Sequence, residues 1–419
     1  MKINTLGEPR FDSPLRQHVR DDLRIPATLV FDPTAPAAPS DGFELAGPRA
    51  KLFFNPAEVR AGIVTCGGLC PGLNNVIRSL FLELHHAYGA AEVLGFRDGY
   101  KGLDPARGRP PLPLTVDTVD KIHTEGGTML GTSRGPVDTV LAVDNLIRLG
   151  VNMLFTIGGD GTQRGGNDLF QEARRRGHPL AVVGIPKTID NDVAFVSRTF
   201  GYLTAVEQAA HALSCAHTEA HSVRNGISVV KLMGRDAGFI AVGATLASQD
   251  VNFCFIPEIP FRLDGPGGFL AALKKRVLAR NHALVVVAEG AGQNLLAGPG
   301  GKDASGNAKL ADIGLFLRDR IADYFKAEQT EATIRYLDPS YLVRSVPADS
   351  EDAILCDQFA RHAVHAAMAG KTGLVIGLMH DEFIHVPIEL LATQKKRVDP
   401  AGGDWRSVLS ATGQPARFE

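Results

Sequence analysis

The residues Gly158-Gly159-Asp160-Gly161-Thr162 follow the apolar run Met153-Leu154-Phe155-Thr156-Ile157 and lead into a helix-like stretch. Residues of these types in this order suit a bound oxyanion. Glycines after a strand let backbone N–H groups approach phosphate oxygens, and the helix start adds positive potential. Asp160 can hold the Mg²⁺ that polyphosphates carry, because that ion takes one or two carboxylates together with phosphate oxygens. Roughly 25 residues later, the interval of a strand-helix-strand unit, the buried run Val182-Val183-Gly184-Ile185 ends in Pro186-Lys187-Thr188-Ile189-Asp190-Asn191-Asp192. An ammonium, a hydroxyl and two carboxylates thus meet at a strand's carboxyl end, where open α/β sheets bind ligands. Asp190 suits proton abstraction from an attacking hydroxyl, and Asp192 suits orienting water or metal.

Further glycine loops surround this pair. Thr65-Cys66-Gly67-Gly68-Leu69-Cys70-Pro71-Gly72-Leu73-Asn74 joins a strand to a helix, but its third position for a dinucleotide fingerprint falls on Leu69, which disfavours a nicotinamide cofactor. The loop from Gly126 to Gly135 delivers Arg134, a cation suited to a transferring phosphoryl group. Met233-Gly234-Arg235 ends another strand with a fork-shaped donor. Glu289 ends a further strand as a carboxylate for sugar hydroxyls, and Tyr341 and Arg344 stand three apart. Two clusters emerge, one for a polyphosphate with its metal and one for a phosphorylated polyol.

Other patterns carry less. Ala369-Gly370-Lys371-Thr372 imitates the end of a P-loop, but His365 stands where that motif needs glycine, so a helix C-terminus is expected. His217 and His221 are four apart with Cys215 and His211 nearby, yet the Ala-rich surroundings predict a packed helix and no fourth ligand with matching spacing follows. Cys66 and Cys70 read as small loop residues.

The chain has 419 residues, 44% apolar content and a net charge of -2, enough for two or three domains and without the basic excess that nucleic acid would select. Five scattered cysteines argue against a disulfide framework. No signal peptide and no span of ~18 apolar residues appears, so a cytoplasmic chain with no membrane partner is expected. Strands are expected at 60–65, 91–96, 151–157, 180–185, 226–232, 252–257, 283–288, 331–336 and 372–378. Helices are expected at 72–88, 163–177, 201–219, 236–248, 267–280, 310–326 and 351–369. The alternation predicts an α/β chain with two domains of mainly parallel sheet flanked by helices. Prolines at 26, 33, 36, 39, 48 and 56 predict an extended arm over 1–58. The first domain is expected over 59–200, joined by part of 342–375, and the second over 201–341, joined by part of 376–419. Gly298-Pro299-Gly300-Gly301 reads as a surface loop.

Together, Gly67-Gly68-x-x-Pro71-Gly72-x-Asn74, Gly158 to Thr162, Pro186-x-Thr188-Ile189-Asp190-Asn191-Asp192, Met233-Gly234-Arg235 and Glu289 strongly resemble the phosphofructokinase family, over about residues 59 to 385. The Pro186-Lys187-Thr188 form, the Cys66 to Asn74 loop, Thr162-Gln163-Arg164-Gly165 and Tyr341 to Arg344 look most like its plant and trypanosomal ATP-using branch. The resemblance implies two Rossmann-like domains in an allosteric homotetramer that transfers the ATP γ-phosphoryl group to fructose 6-phosphate in glycolysis. It implies Gly67, Arg134, Gly135, Gly159, Asp160, Gly161 and Thr162 at the nucleotide, with Mg²⁺ on Asp160. Asp190 would deprotonate the sugar 1-hydroxyl, with Thr188, Arg235 and Arg134 assisting. Lys187, Thr188, Ile189, Met233, Gly234, Arg235, Glu289, Arg335, Tyr341 and Arg344 would bind substrate. Gly161 is the residue of ATP users and Lys187 that of pyrophosphate-using relatives, so these two positions set the donor. Gly226 stands where the best-known bacterial members carry arginine, with Arg224 a candidate substitute. Pyrophosphate as donor, a lipid or NAD kinase, and a noncatalytic regulatory subunit are the competing readings.

Overall fold

The computed structural model describes residues 1–30, 34, 42–136, 138–298, 300–301, 308–392 and 394–419. Pro33, Pro36, Pro39 and Pro299 lie outside the described residues. The chain forms two compact units. The first takes residues 1–188, 193–201 and 345–395, and the second takes 189–192, 202–344 and 396–419. The expected division near 375 in the tail is thus displaced to 395, because Leu374–Met379 and Glu382–Pro387 form an antiparallel pair in the first unit's sheet.

The first unit is built on a nine-stranded sheet in the order Arg24–Ile25, Phe43–Leu45, Glu382–Pro387, Leu374–Met379, Ala181–Pro186, Met153–Gly158, Arg60–Thr65, Glu92–Phe96, Leu112–Pro113. Its central strands, from Leu374–Met379 to Glu92–Phe96, are parallel. Every residue of Met153–Gly158 and Ala181–Pro186 is buried, which is why those strands read as unbroken apolar runs. The second unit holds an all-parallel sheet in the order Phe253–Phe255, His282–Ala288, Gly226–Leu232, Thr333–Leu337. Val229, Val285 and Val287 pack on one face against Phe269, Ile313 and Phe325. On the other face Ser228 Oγ donates to the Ala216 carbonyl of helix Tyr202–His221.

Every expected strand and helix forms, with shifted ends. The helix expected from 163 starts at Asp160, taking Asp160, Gly161 and Thr162 into its first turn, where a carboxylate is favoured by the exposed N–H groups. Among the described residues three α-helices were not expected, the short Val116–Val119 and two longer ones. Thr139–Arg148 is capped by Asp138, whose side chain accepts from the Leu141 N–H. Gly403–Thr412 opens on glycine without a side-chain cap, so it carries no start signal in the sequence.

The stretch 1–58 is not a separate arm, as far as its described residues go. Asn4–Thr5 pairs with Lys371–Thr372, Phe11–Asp12 with Lys51–Leu52, and Phe43–Leu45 with Glu382–Pro387. Phe43 and Leu52 are wholly buried. Prolines had masked these short pairings, which form only against distant strands. One ion cluster holds the segment in place. Glu44 accepts from Arg49 Nη2 at 3.0 Å, Lys371 Nζ at 2.5 Å and His385 Nδ1 at 2.9 Å. Lys371, the imitation P-loop lysine, is therefore an ion-pair partner that follows the C-terminus of helix Ser350–Met368.

Burial alone would raise the Glu44 pKa, but hydrogen bonds from His385 and Lys371 and the Lys371 charge overcome it and hold the carboxyl well below its ordinary value. Burial holds His385 neutral, below the ordinary imidazole value, although Glu44 opposes the shift. Both depressions act with one sign: their stabilisation is complete above the ordinary pKa values and is lost as pH falls and the groups must take protons. Glu44→Gln leaves the buried Lys371 and Arg49 with only the more exposed Asp21, which each contacts at 2.8 Å, and is expected to cost about 1–3 kcal/mol, measured by chemical denaturation at pH 7. The variant should also lose part of the acid-induced decline expected of the parent chain; an unchanged midpoint would refute the cluster's role.

Candidate functional site

In the first unit's sheet, the strand after Arg60–Thr65 is reached by moving one way and the strand after Met153–Gly158 by moving the other. Adjacent strands with diverging exits leave a crevice at their carboxyl ends. Thr65 is in register with Ile157 and Ile185 with Ile157, so the three following loops start level. Gln163, buried on the helix Asp160–Arg175, locks the last two together: its Nε2 donates to the Gly158 carbonyl at 2.9 Å and the Ile185 carbonyl at 3.2 Å. A Cβ on Gly184 would lie 2.1 Å from Gln163 Oε1, which explains glycine there.

Around this crevice stand the expected donor-side residues. Gly67 has φ +86° and its N–H donates to the Ser133 carbonyl, while Thr132 Oγ1 donates to the Gly67 carbonyl at 2.7 Å. These bonds dock the loop that carries exposed Arg134 and Gly135. Asn74 holds the same loop further back, accepting from the Met129 N–H and donating to the Glu125 carbonyl. Gly159 caps the helix in an extended conformation. The Thr162 side chain lies over Gly158, where an added Cβ would meet Thr162 Oγ1 at 2.1 Å. Around a Cβ built on Gly161 only Arg164 Nη2, at 3.9 Å, comes within 4 Å. Lys187 is buried, its Nζ donating to the Gly68 carbonyl at 2.6 Å. The Thr188 carbonyl accepts from Thr199 Oγ1.

Asp160 lines a cleft of about 130 Å³ with Gln163, Arg164, Ile388, Leu391, Gln394 and Lys395. Lys395 Nζ is 3.8 Å from its Oδ2. The carboxylate is partly exposed at a helix start, and among the described residues no group of three or more His, Cys, Asp or Glu is arranged to hold a metal. This donor set fits Mg²⁺, which takes few protein carboxylates and completes its shell with water and phosphate.

The chain passes from the first unit to the second between Thr188 and Ile189. Ile189 is buried and Asn191 adopts φ +55°, a conformation asparagine tolerates. In the second unit, Gly226–Leu232 and His282–Ala288 are neighbours whose exits lead to helices on opposite faces, a second crevice. Glu289 N–H donates to the Leu232 carbonyl and Gly290 N–H to the Gly234 carbonyl. These bonds hold Glu289 beside Met233, Gly234 and Arg235. Gly234 has φ +131°, and a Cβ on Gly290 would strike the Arg235 carbonyl. Arg235 donates to the Ala308 carbonyl.

Asp190 Oδ1 is enclosed. Burial, then the charges of Asp192 and Glu289, push its carboxyl up to about 8, although the Arg235 N–H opposes them. Burial also raises Glu289, against Arg235, Lys231 and Arg344. The Arg344 guanidinium lies 5.1 Å from the exposed Tyr341 ring centroid.

Arg335 is not brought to this cluster within the chain. It sits mid-strand in register with Ser228, about 13 Å of strand from Leu232, and pairs with Glu219 at 3.1 Å. Gly226 cannot be replaced by arginine here, since a Cβ would lie 2.0 Å from the Ala220 carbonyl. Arg224 precedes that strand and so stands at its opposite end from Arg235. Sequence reading missed Gln163 as a lock and missed Lys231, Asp312 and Asp338, where Lys231 Nζ bridges the carboxylates at 2.7 and 2.9 Å. It also missed Lys395 and Lys396. Lys396 Nζ donates to Asn191 Oδ1 at 2.9 Å and lies over Phe239, with burial bringing its pKa down to about 8. The adjacent lysines were the available signal.

A family model described as phosphofructokinase matches residues 60–367. The ATP-dependent 6-phosphofructokinase of Borreliella burgdorferi is 50% identical over 379 residues, covering 89% of this chain and 85% of that one. The enzyme of the same name from Amycolatopsis methanolica is 44% identical, covering 100% and 95%. The one from Trypanosoma brucei brucei is 47% identical, covering 88% and 76%. Among solved structures, a pyrophosphate-dependent phosphofructokinase from Marinobacter aquaeolei superposes with a TM-score of 0.70 at 20% identity, covering 86% of this chain and 93% of that one; at that identity the likeness is one of fold.

The raised Asp190 pKa is a statement about stability. Between about 4 and about 8 the folded chain keeps a proton that the unfolded chain has released, so stability falls as pH rises through that window. Asp190→Asn removes the dependence. It should melt several degrees above the parent at pH 8 and approach it near pH 4. Parallel melting curves across that range would show that the carboxyl is not held protonated.

Proposed function

This chain belongs to the phosphofructokinase family, and on that footing we propose that it transfers the γ-phosphoryl group of ATP to the 1-hydroxyl of fructose 6-phosphate, giving fructose 1,6-bisphosphate. The acceptor reading rests on Asp190, an enclosed carboxyl raised to about 8 and therefore poised as a general base near working pH. Arg235, Met233, Gly234, Glu289, Tyr341 and Arg344 would hold the sugar phosphate. The donor reading rests on one observation, the open space beside Gly161, which admits the nucleotide α-phosphate. Gly67, Gly135, Gly159 and Thr162 would receive the phosphates through backbone N–H groups and a hydroxyl, with Arg134, Thr188 and Lys187 at the transferring group. Catalysis is then mainly positioning and charge neutralisation. Asp160 would hold Mg²⁺, whose chemistry there is to neutralise charge on the polyphosphate.

A second donor has support of its own. Buried Lys187, beside the first glycine loop, suits pyrophosphate. Arg335 stands apart from the acceptor cluster, which supports its serving a second copy in a homotetramer. Among the described residues no helix is long and apolar enough to cross a membrane, and a cytoplasmic enzyme without a nucleic-acid partner remains part of the proposal.

One coupled assay with the two donors in parallel tests the donor reading. The parent chain should prefer ATP. Gly161→Asp should fold, because its side chain enters open space. Its carboxylate, ~4 Å from a phosphate charge at an effective dielectric near 20, costs ~4 kcal/mol. ATP turnover should therefore drop by about 10² or more while pyrophosphate turnover survives or appears. A pyrophosphate preference in the parent, or an ATP loss under about tenfold, overturns the assignment. Asp190→Asn should lower kcat by about 10² to 10⁴, and the parent's kcat/KM should rise with pH towards about 8; near-native turnover in the variant would place the base elsewhere.

A further inference from the structure

The histidines that the sequence offers as isolated helical spacing acquire a partner from another part of the fold. His217, on the helix Tyr202–His221, presents Nε2 to the Nε2 of His282 at 3.3 Å. His282 opens the strand His282–Ala288, so this pair stands at the opposite end of that strand from Glu289. We infer that His217 and His282 form a binding site for a borderline divalent transition-metal ion of the Zn²⁺ class, held between the two Nε2 atoms and completed by water.

The tautomers carry the argument. His282 Nδ1 lies 3.0 Å from the Arg280 carbonyl, an acceptor only, so Nδ1 bears the proton. His217 Nδ1 faces Asp250 Oδ1 at 3.5 Å, again an acceptor. With those Nδ1 atoms carrying the protons, each ring points an Nε2 lone pair at the other. Two lone pairs 3.3 Å apart call for a cation between them. Two nitrogens bound at about 2.1 Å to one tetrahedral ion stand about 3.4 Å apart, close to the observed separation. The outer contacts match as well, since metal-bound imidazoles commonly donate their other N–H to a carboxylate or a backbone carbonyl. His221 meets the His282 ring edge to face, with centroids 4.9 Å apart, and closes one side. Arg276 is the arginine whose charge acts on His282, and the Asp250 carboxylate beside His217 has the opposite sign. Imidazole nitrogens select Zn²⁺, Ni²⁺, Cu²⁺ or Co²⁺ over Mg²⁺, which prefers oxygen.

The test is calorimetric titration of the full chain with Zn²⁺ in excess Mg²⁺, which occupies oxygen sites. Both His217→Ala and His282→Ala should weaken one binding event at least about tenfold. Cys215 stays in place, so an ion held by its exposed thiol registers unchanged in all three proteins. With Co²⁺ as the probe, visible absorption bands should appear in the parent and vanish in both variants. Both histidines are only partly buried, and metal-free melting confirms that each variant folds; if one does not, the other and the Co²⁺ spectrum decide. Equal Zn²⁺ affinity in the parent and the variants overturns the site and leaves a proton as the species between the rings.

Discussion

The register between Met153–Gly158 and Ala181–Pro186 is the constraint on which the rest of the donor side depends. Ile185 faces Ile157 and Pro186 faces Gly158, so two strands finish at one level and their loops enter one crevice. Gln163 reaches from the helix between them and binds a carbonyl at the end of each. A one-residue slip would turn every side chain of a strand to the other face and would also separate the carbonyls that this amide bridges. Close approach then dictates glycine. Gly184 must admit Gln163 and Gly158 must admit Thr162, so these glycines serve the packing of the loops as much as any ligand.

The second unit gathers several carboxylates around one buried position. Asp190, Asp192, Asp236 and Glu289 interact unfavourably, and burial adds to the cost. Arg235 and Arg344 oppose this for Glu289, and Lys231 does so while already bridging Asp312 and Asp338. A site arranged in this way is less stable than its neutral counterpart, and the excess free energy takes the form of a carboxyl that holds a proton near neutrality. Such local conflict is expected where function, rather than folding, sets the residue type.

Away from both sites the fold rests on a buried ion cluster assembled from remote segments. Glu44, Arg49, Lys371 and His385 meet because the N-terminal strand Phe43–Leu45 adds to the sheet beside Glu382–Pro387. None of the four has local sequence features that announce the contact. The cluster fixes Phe43–Leu45, with Arg24–Ile25 beyond it, as an edge of the first unit's sheet.

From the sequence alone one can determine the elements and the chemical inventory. Apolar runs mark strands because both faces are buried, and glycine-rich loops followed by helices mark anion sites because backbone N–H groups are exposed there. The residues from Gly158 to Thr162, from Lys187 to Asp192 and from Met233 to Arg235 were legible for that reason. Tertiary structure alone decided the strand order, the joining of 1–58 to the sheet, the lock by Gln163 and the separation of Arg335 from Glu289. It also decided the pairing of His217 with His282 and the split of Lys395 and Lys396 between the units. The physical reason is common to these cases: each depends on residues far apart in the chain, and neither periodicity nor propensity carries information about which distant groups will share one dielectric environment.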